Sequence, residues 1–128
     1  MIKVWLLSVV FSLTSLLSYS QLFVGNVNIN QDENIKIIEV LVAARLSVKS
    51  INIFVDFGQK SNYRSGSLNN KSKDQRITDP KTQEEKLFVS SSALLNYMES
   101  NGWEHYNSLF VNDSGGLFYY YFKRKIQP

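Results

Sequence analysis

Few side chains in this sequence have the types that proton-transfer chemistry needs. His105 is the single histidine, and a histidine base needs an acid within hydrogen-bond reach to orient it. Glu104 and Asp56 are the acids weighed for a small hydrolase-like enzyme built on His105. Neighbouring residues on a strand point to opposite faces, so Glu104 cannot orient His105 directly. Ser114, in Asn112-Asp113-Ser114-Gly115-Gly116, resembles a nucleophile on a tight turn, but His105 lies near the far end of the strand before it. Gly-Gly after Asp-Ser reads as hairpin punctuation. Glu84-Glu85 and Asp32-Glu33 are consecutive acids and read as solvated turns. The chain has no cysteine, which excludes a thiolate metal site, a cysteine nucleophile and a disulfide framework. One histidine excludes a multi-histidine zinc site within one chain. Phosphate loops, dinucleotide fingerprints and calcium loops are lacking as well. The inventory leans away from catalysis and gives no reason to expect a cofactor or a metal.

The elements that would position these residues lie in 128 residues, of which 44% are hydrophobic and 20% charged, enough for one packed domain. Met1-Ile2-Lys3 supplies a positive charge, Val4 to Leu17 is an apolar run, and Ser18-Tyr19-Ser20 follows. This reads as a signal peptide over residues 1–20, cut between Ser20 and Gln21. The run is shorter than the roughly 20 apolar residues a comfortable membrane span needs, so no stable transmembrane anchor is expected after cleavage. The expected product is a single domain over residues 21–128, exported to the periplasm or secreted.

Leu22 to Asn30 reads as a short strand or an ordered tail. Ile35 to Leu46 is the strongest strand pattern, with Ile38, Val40 and Val42 on one face and Ile37, Glu39 and Leu41 on the other. Ile51 to Phe57 alternates strictly, placing Ile51, Ile53 and Val55 opposite Asn52, Phe54 and Asp56. The short connection between the two runs predicts an antiparallel hairpin. Residues 58–75 hold little to bury and read as a mobile polar loop. Arg76-Ile77-Thr78 and Lys86 to Val89 flank Asp79-Pro80, a turn initiator that suggests a second hairpin. Ser91 to Asn101 is the one helix, with an N-cap among Ser90, Ser91 and Ser92 and an apolar stripe of Leu94, Leu95 and Met98. Gly102 ends it in the left-handed conformation and sets Trp103 against Met98, so Gly102, Trp103 and Met98 are expected to be structural. Trp103 to Val111 and Leu117 to Phe122 then form a hairpin. The tail from Lys123 onward reads as solvated.

The run Ala93 to Glu104, ending in Gly102-Trp103-Glu104, followed by an extended segment and by Phe118-Tyr119-Tyr120-Tyr121-Phe122-Lys123-Arg124, resembles a group of small bacterial domains. In these a helix ends in Gly-Trp-Glu and leads into two strands, the last closing on an aromatic-Lys-Arg sequence. Ile51 to Gln59, reading INIFVDFGQ, is similar to exported hypothetical proteins of Gram-negative bacteria that share this C-terminal half. Those families are domains of unknown function. The resemblance implies the fold and export, and it carries over no catalytic residue.

The expected fold is α+β: a small antiparallel sheet of about four to six strands, one helix on one face, and hairpins flanking the helix. The helix should cover Ile38, Val40, Val42, Ile51, Ile53 and Val55. The other face, with Ile37, Leu41, Phe54 and one alternate set from the aromatic strand, would then be open. Phe54, Leu41 and Tyr120 are the expected binding residues, for a second copy of the chain or for an envelope protein or glycan. The competing expectation is that residues 22–30 and the polar loop fold over that face. Tyr119 to Phe122 beside Lys123-Arg124-Lys125 could stack single-stranded bases. A formal charge of only +3 and the export signal argue against nucleic acid, and an aromatic core strand explains the same residues.

Overall fold

The computed structural model describes residues 20–43, 50–59, 73–111 and 116–126. Residues 1–19 of the expected signal peptide, most of the expected loop at 58–75 and the Asp113-Ser114 segment lie outside the described residues.

Among the described residues the fold is α+β, with two antiparallel sheets and one α-helix. The larger sheet has the order β4-β3-β7-β6, formed by β3 (Ile37–Ala43), β4 (Asn52–Asp56), β6 (Trp103–Val111) and β7 (Leu117–Arg124). Period-two patterning sets its register. Val40 lies opposite Val55 and Val42 opposite Ile53, while Leu41 lies opposite Phe54. One face of β3 and β4 is therefore wholly aliphatic, as the alternation predicts. Helix α1 (Ser91–Ser100) begins at Ser90, whose Oγ accepts from the Ala93 amide at 3.1 Å, satisfying a donor the helix itself cannot. It buries Leu94 and Met98 against the aliphatic face. Gly102 has φ +90°, the left-handed conformation expected of it. Trp103 follows and is fully buried with Phe122, Ile38 and Met98.

The second sheet departs from the expectation of a single one. β1 (Phe23–Val24), β2 (Val27–Asn28) and β5 (Ile77–Thr78) pair in the order β2-β1-β5. Leu22, Val24, Ile29 and Ile77 are buried with the helix in one core, so the N-terminal stretch supplies core residues as well as edge backbone. The second hairpin is reduced to a single bridge between Thr78 and Glu85. Its turn is held by the Asp79 carboxylate, which accepts from the Lys81 and Thr82 amides. Those two hydrogen bonds hold the Asp79 carboxyl below its ordinary range. Phe88 instead reaches the outer edge of β4, bridging Ile51.

The tail is not simply solvated. Arg124 lies over the Trp103 ring, 4.8 Å from its centroid. Its guanidinium donates to the carbonyls of Ile35 at 2.8 Å, Ile29 at 2.9 Å, Asn30 at 3.2 Å and Asp32. A planar, multi-donor cation suits this cluster of backbone acceptors, and a lysine does not. Asn30 completes the clasp. Its side-chain oxygen accepts from Trp103 Nε1 at 2.6 Å, and its nitrogen donates to the carbonyls of Ser20 and Asn101, each at 2.9 Å. Residues 20–35 are thus tied to the end of the helix and to the last strand. Lys125 adds an ion pair to Glu99 at 2.6 Å.

Candidate binding surface

Of the expected binding residues, Leu41 and Phe54 are brought together and Tyr120 is not. Tyr120 pairs with Val40 in the register, so it lies on the helix-bearing face, whereas Leu41 pairs with Tyr119 and Phe54. Opposed residues in a ladder share a face. It is therefore Tyr119 that accompanies Leu41 and Phe54. That face is not open there either, because Leu41 is 3% and Phe54 4% exposed. The 3-10 turn Lys73–Gln75 explains part of this. Its buried Gln75, with Leu41, Phe54 and Tyr119, lines a cavity of only about 50 Å³. Gln59 ties the turn down by donating from Nε2 to the carbonyls of Val55 and Asp74, each at 2.8 Å. The expectation that this face is open at Phe54 is corrected: the Lys73–Gln75 turn lies against Leu41 and Phe54, while Ile37 on the same face is exposed.

Exposed apolar groups are spread over Val27, Ile37, Leu87, Val89 and Ile126, but four more fall on one hairpin. Tyr106 (45%), Leu109 (52%), Phe110 (52%) and Phe118 (39%) all belong to the β6–β7 hairpin. The reason is topological. β6 is the last strand of the sheet, and after the buried Trp103 every residue from Glu104 to Phe110 is exposed. The register shifts between His105 and Asn107, with Tyr106 as the extra residue. Such a bulge re-aims a side chain, and Tyr106 turns towards Lys123, whose Nζ stands 5.9 Å from the ring centroid.

On the helix-bearing face the rings form a continuous row that starts in the core beside α1. Phe110 meets Phe118 at 4.6 Å between centroids, and Phe118 stacks on Tyr120 at 6.2 Å. Tyr120 meets His105 at 5.6 Å, and His105 meets the buried Phe122 at 5.8 Å. The row runs from the core to solvent, anchored at one end and exposed at the other. Close edge-to-face and offset contacts of this kind rigidify a surface beyond what area alone supplies. On the opposite face Tyr121 lies near Glu39. Desolvation, followed by the hydrogen bond to Glu39, holds its phenol above the ordinary range.

His105 is a member of this ring row, not of an acid-base pair. Asp56 projects from the opposite face, since its register runs through Glu39 and Tyr121, and it stands three strand spacings away, about 14 Å. Glu104 faces away from His105, as strand alternation requires. Among the described residues no group of three or more metal-ligating side chains converges. A hollow of about 760 Å³ lies between the Gly25-Asn26 turn and Gln83 to Glu85. It is lined by mixed charges, with Arg76 and Glu85 paired at 3.8 Å, and His105 is not among its lining residues.

Sequence reasoning missed three residues of consequence. Arg124 and Asn30 carry the clasp, and Leu109 is an exposed apolar residue on an edge strand. Only Leu109 had a signal to read, in the uncharged run of β6. No helix among the described residues is long and apolar enough to cross a membrane. Comparison of the chain with protein-family models, with curated proteins and with solved structures found no match in any of the three.

Proposed function

We infer that the chain is an exported, non-catalytic binding module that works through the exposed β6–β7 hairpin. The observation that carries this reading is the concentration of exposed Tyr106, Leu109, Phe110 and Phe118 in one hairpin, with Phe110 and Phe118 held in the ring row and Leu109 on the opposite face. Exposed aromatic and aliphatic groups on a rigid support give contact area at a small ordering penalty. The separation of His105 from Asp56 removes the pairing that a hydrolytic reading would use.

Export rests on the apolar run of residues 4–17 and on Ser18-Tyr19-Ser20. A cut after Ser20 would remove the Ser20 carbonyl as an acceptor of Asn30 but would leave the Asn101 acceptor and the buried Leu22 in place. The exported protein is expected to have the intact mass of a chain starting at Gln21, allowing for cyclisation of that residue. A mass that includes Met1 to Ser20 would refute the processing. For the surface itself, the mature protein should be retained by an envelope fraction or by its own immobilised copy. Leu109→Lys with Phe110→Lys should abolish that retention while costing no more than the Phe110–Phe118 ring contact, about 0.5–1.5 kcal/mol of stability. Undiminished retention by the double variant would remove the hairpin from consideration.

A further inference from the structure

On the reading that the chain is cut between Ser20 and Gln21, we propose that folding closes the cut site. The bond to be broken is held by the clasp at the end of α1, so processing has to precede the docking of the C-terminal hairpin. The Ser20 carbonyl is the one a peptidase attacks, and its oxygen takes up negative charge as the bond breaks. In the folded domain that oxygen accepts from Asn30 Nδ2 at 2.9 Å. The Ser20 side chain is the small group a signal peptidase reads just before the cut. Its Oγ lies 3.4 Å from the same nitrogen and 3.2 Å from where a β-carbon on Gly102 would stand. Ser20 and Gln21 are themselves exposed, but the carbonyl oxygen and the side chain that the enzyme needs are already engaged.

The chain beyond the bond has no slack. Leu22, the second residue after the cut, is 0% exposed, and its carbonyl accepts from the Ile29 amide at 2.9 Å. Phe23 and Val24 form the central strand of the small sheet, paired on both edges. Drawing Ser20 to Leu22 into a peptidase groove means lifting Leu22 from the core and parting Ser20 from Asn30. Cleavage of a packed segment follows the population of its opened form. The latch is also non-local. Asn30 holds the Asn101 carbonyl and Trp103 Nε1 as well, and Arg124 holds the carbonyls of Ile29, Asn30 and Asp32. The site therefore stays open until residues 101–124 have joined residues 20–32. Once the cut is made, the Asn101, Trp103 and Arg124 contacts persist and the mature domain keeps its clasp. A precursor that folds first is a poor substrate.

Order of addition tests this on the full-length precursor. The precursor is unfolded in urea and diluted into detergent micelles, with a purified signal peptidase present at dilution or added only after refolding is complete. Intact mass follows the appearance of a chain starting at Gln21. Enzyme added after refolding should cut at least about tenfold more slowly than enzyme present at dilution, because only the opened form is a substrate. Asn30→Asp keeps an oxygen for Trp103 Nε1 but puts an acceptor where Ser20 now has a donor. Its refolded precursor should be cut about two- to tenfold faster than the wild type, the effect of one hydrogen bond. Ile53→Val loosens the core away from the latch and should leave the rate of the refolded precursor unchanged, which separates local release from general destabilisation. Equal rates in the two orders, or an Asn30→Asp precursor no faster than Ile53→Val, overturns the proposal. If neither order yields a chain starting at Gln21, the cut after Ser20 falls, and the proposal with it.

Discussion

Replacing Trp103 by alanine is expected to destabilise the domain by about 3–5 kcal/mol, the usual effect of emptying a buried large aromatic site. Trp103 is fully buried among Ile38, Met98 and Phe122, so little can collapse into the space without moving the helix. The substitution also strips the Asn30 side-chain oxygen of the indole donor at 2.6 Å and removes the ring beneath Arg124. Domains of this size are commonly stable by about 5–15 kcal/mol, so the variant would be marginal. Trp103→Phe separates the contributions. It keeps most of the packing and loses the hydrogen bond and the indole face, for about 1–2 kcal/mol. Urea denaturation of the three proteins measures this. A Trp103→Ala midpoint close to wild type would show that the residue does not hold the core.

The second large effect is expected at Arg124. Arg124→Met keeps an apolar stem over Trp103 but leaves the carbonyls of Ile29, Asn30, Asp32 and Ile35 without the donors they have now. Hydrogen bonds to a charged group contribute about 1.5–3 kcal/mol each when buried. Water can replace some donors at this half-buried site, so the net loss should be about 2–3 kcal/mol for the set. Arg124→Lys should recover little of it, because an ammonium cannot span four acceptors. Arg124→Met and Trp103→Ala together should destabilise by less than their sum, since each removes part of the other's contact. Strict additivity in that double-mutant cycle would mean that the two act independently.

How much of this was legible follows from where the information sits. The β3–β4 hairpin, the Ser90 cap, the left-handed Gly102 and the buried Trp103 are all encoded locally, by alternation, by a hydroxyl before an apolar stripe and by a glycine after it. The pairing of Phe23–Val24 with Ile77–Thr78 is not, because strands of two residues carry no period and their partners are far apart in sequence. Arg124 was hidden for a different reason. Its partners are backbone carbonyls, and no residue type at 29, 32 or 35 announces them. Tyr119 to Phe122 is aromatic at every position, which erases the alternation that normally reveals facing and leaves Tyr119 and Tyr120 indistinguishable as neighbours of Phe54. Phe54 itself follows its strand pattern faithfully. What the pattern could not tell is that Gln75, carried in by a 3-10 turn, lies against that face. The open surface was instead legible in part as the uncharged run from Tyr106 to Phe110 on the strand after Trp103, once β6 is known to be an edge.

The central claim is that the protein makes its contact through the β6 edge. The most direct measurement is photo-crosslinking in the producing cell, with a photoreactive residue placed at Leu109 or, for comparison, at the exposed Asn96 of α1. A discrete adduct from position 109, of dimer mass if the occupant is a second copy, and none from position 96 is the predicted result. Adducts from position 96 with none from position 109 would contradict the claim and place the working surface on the helix side.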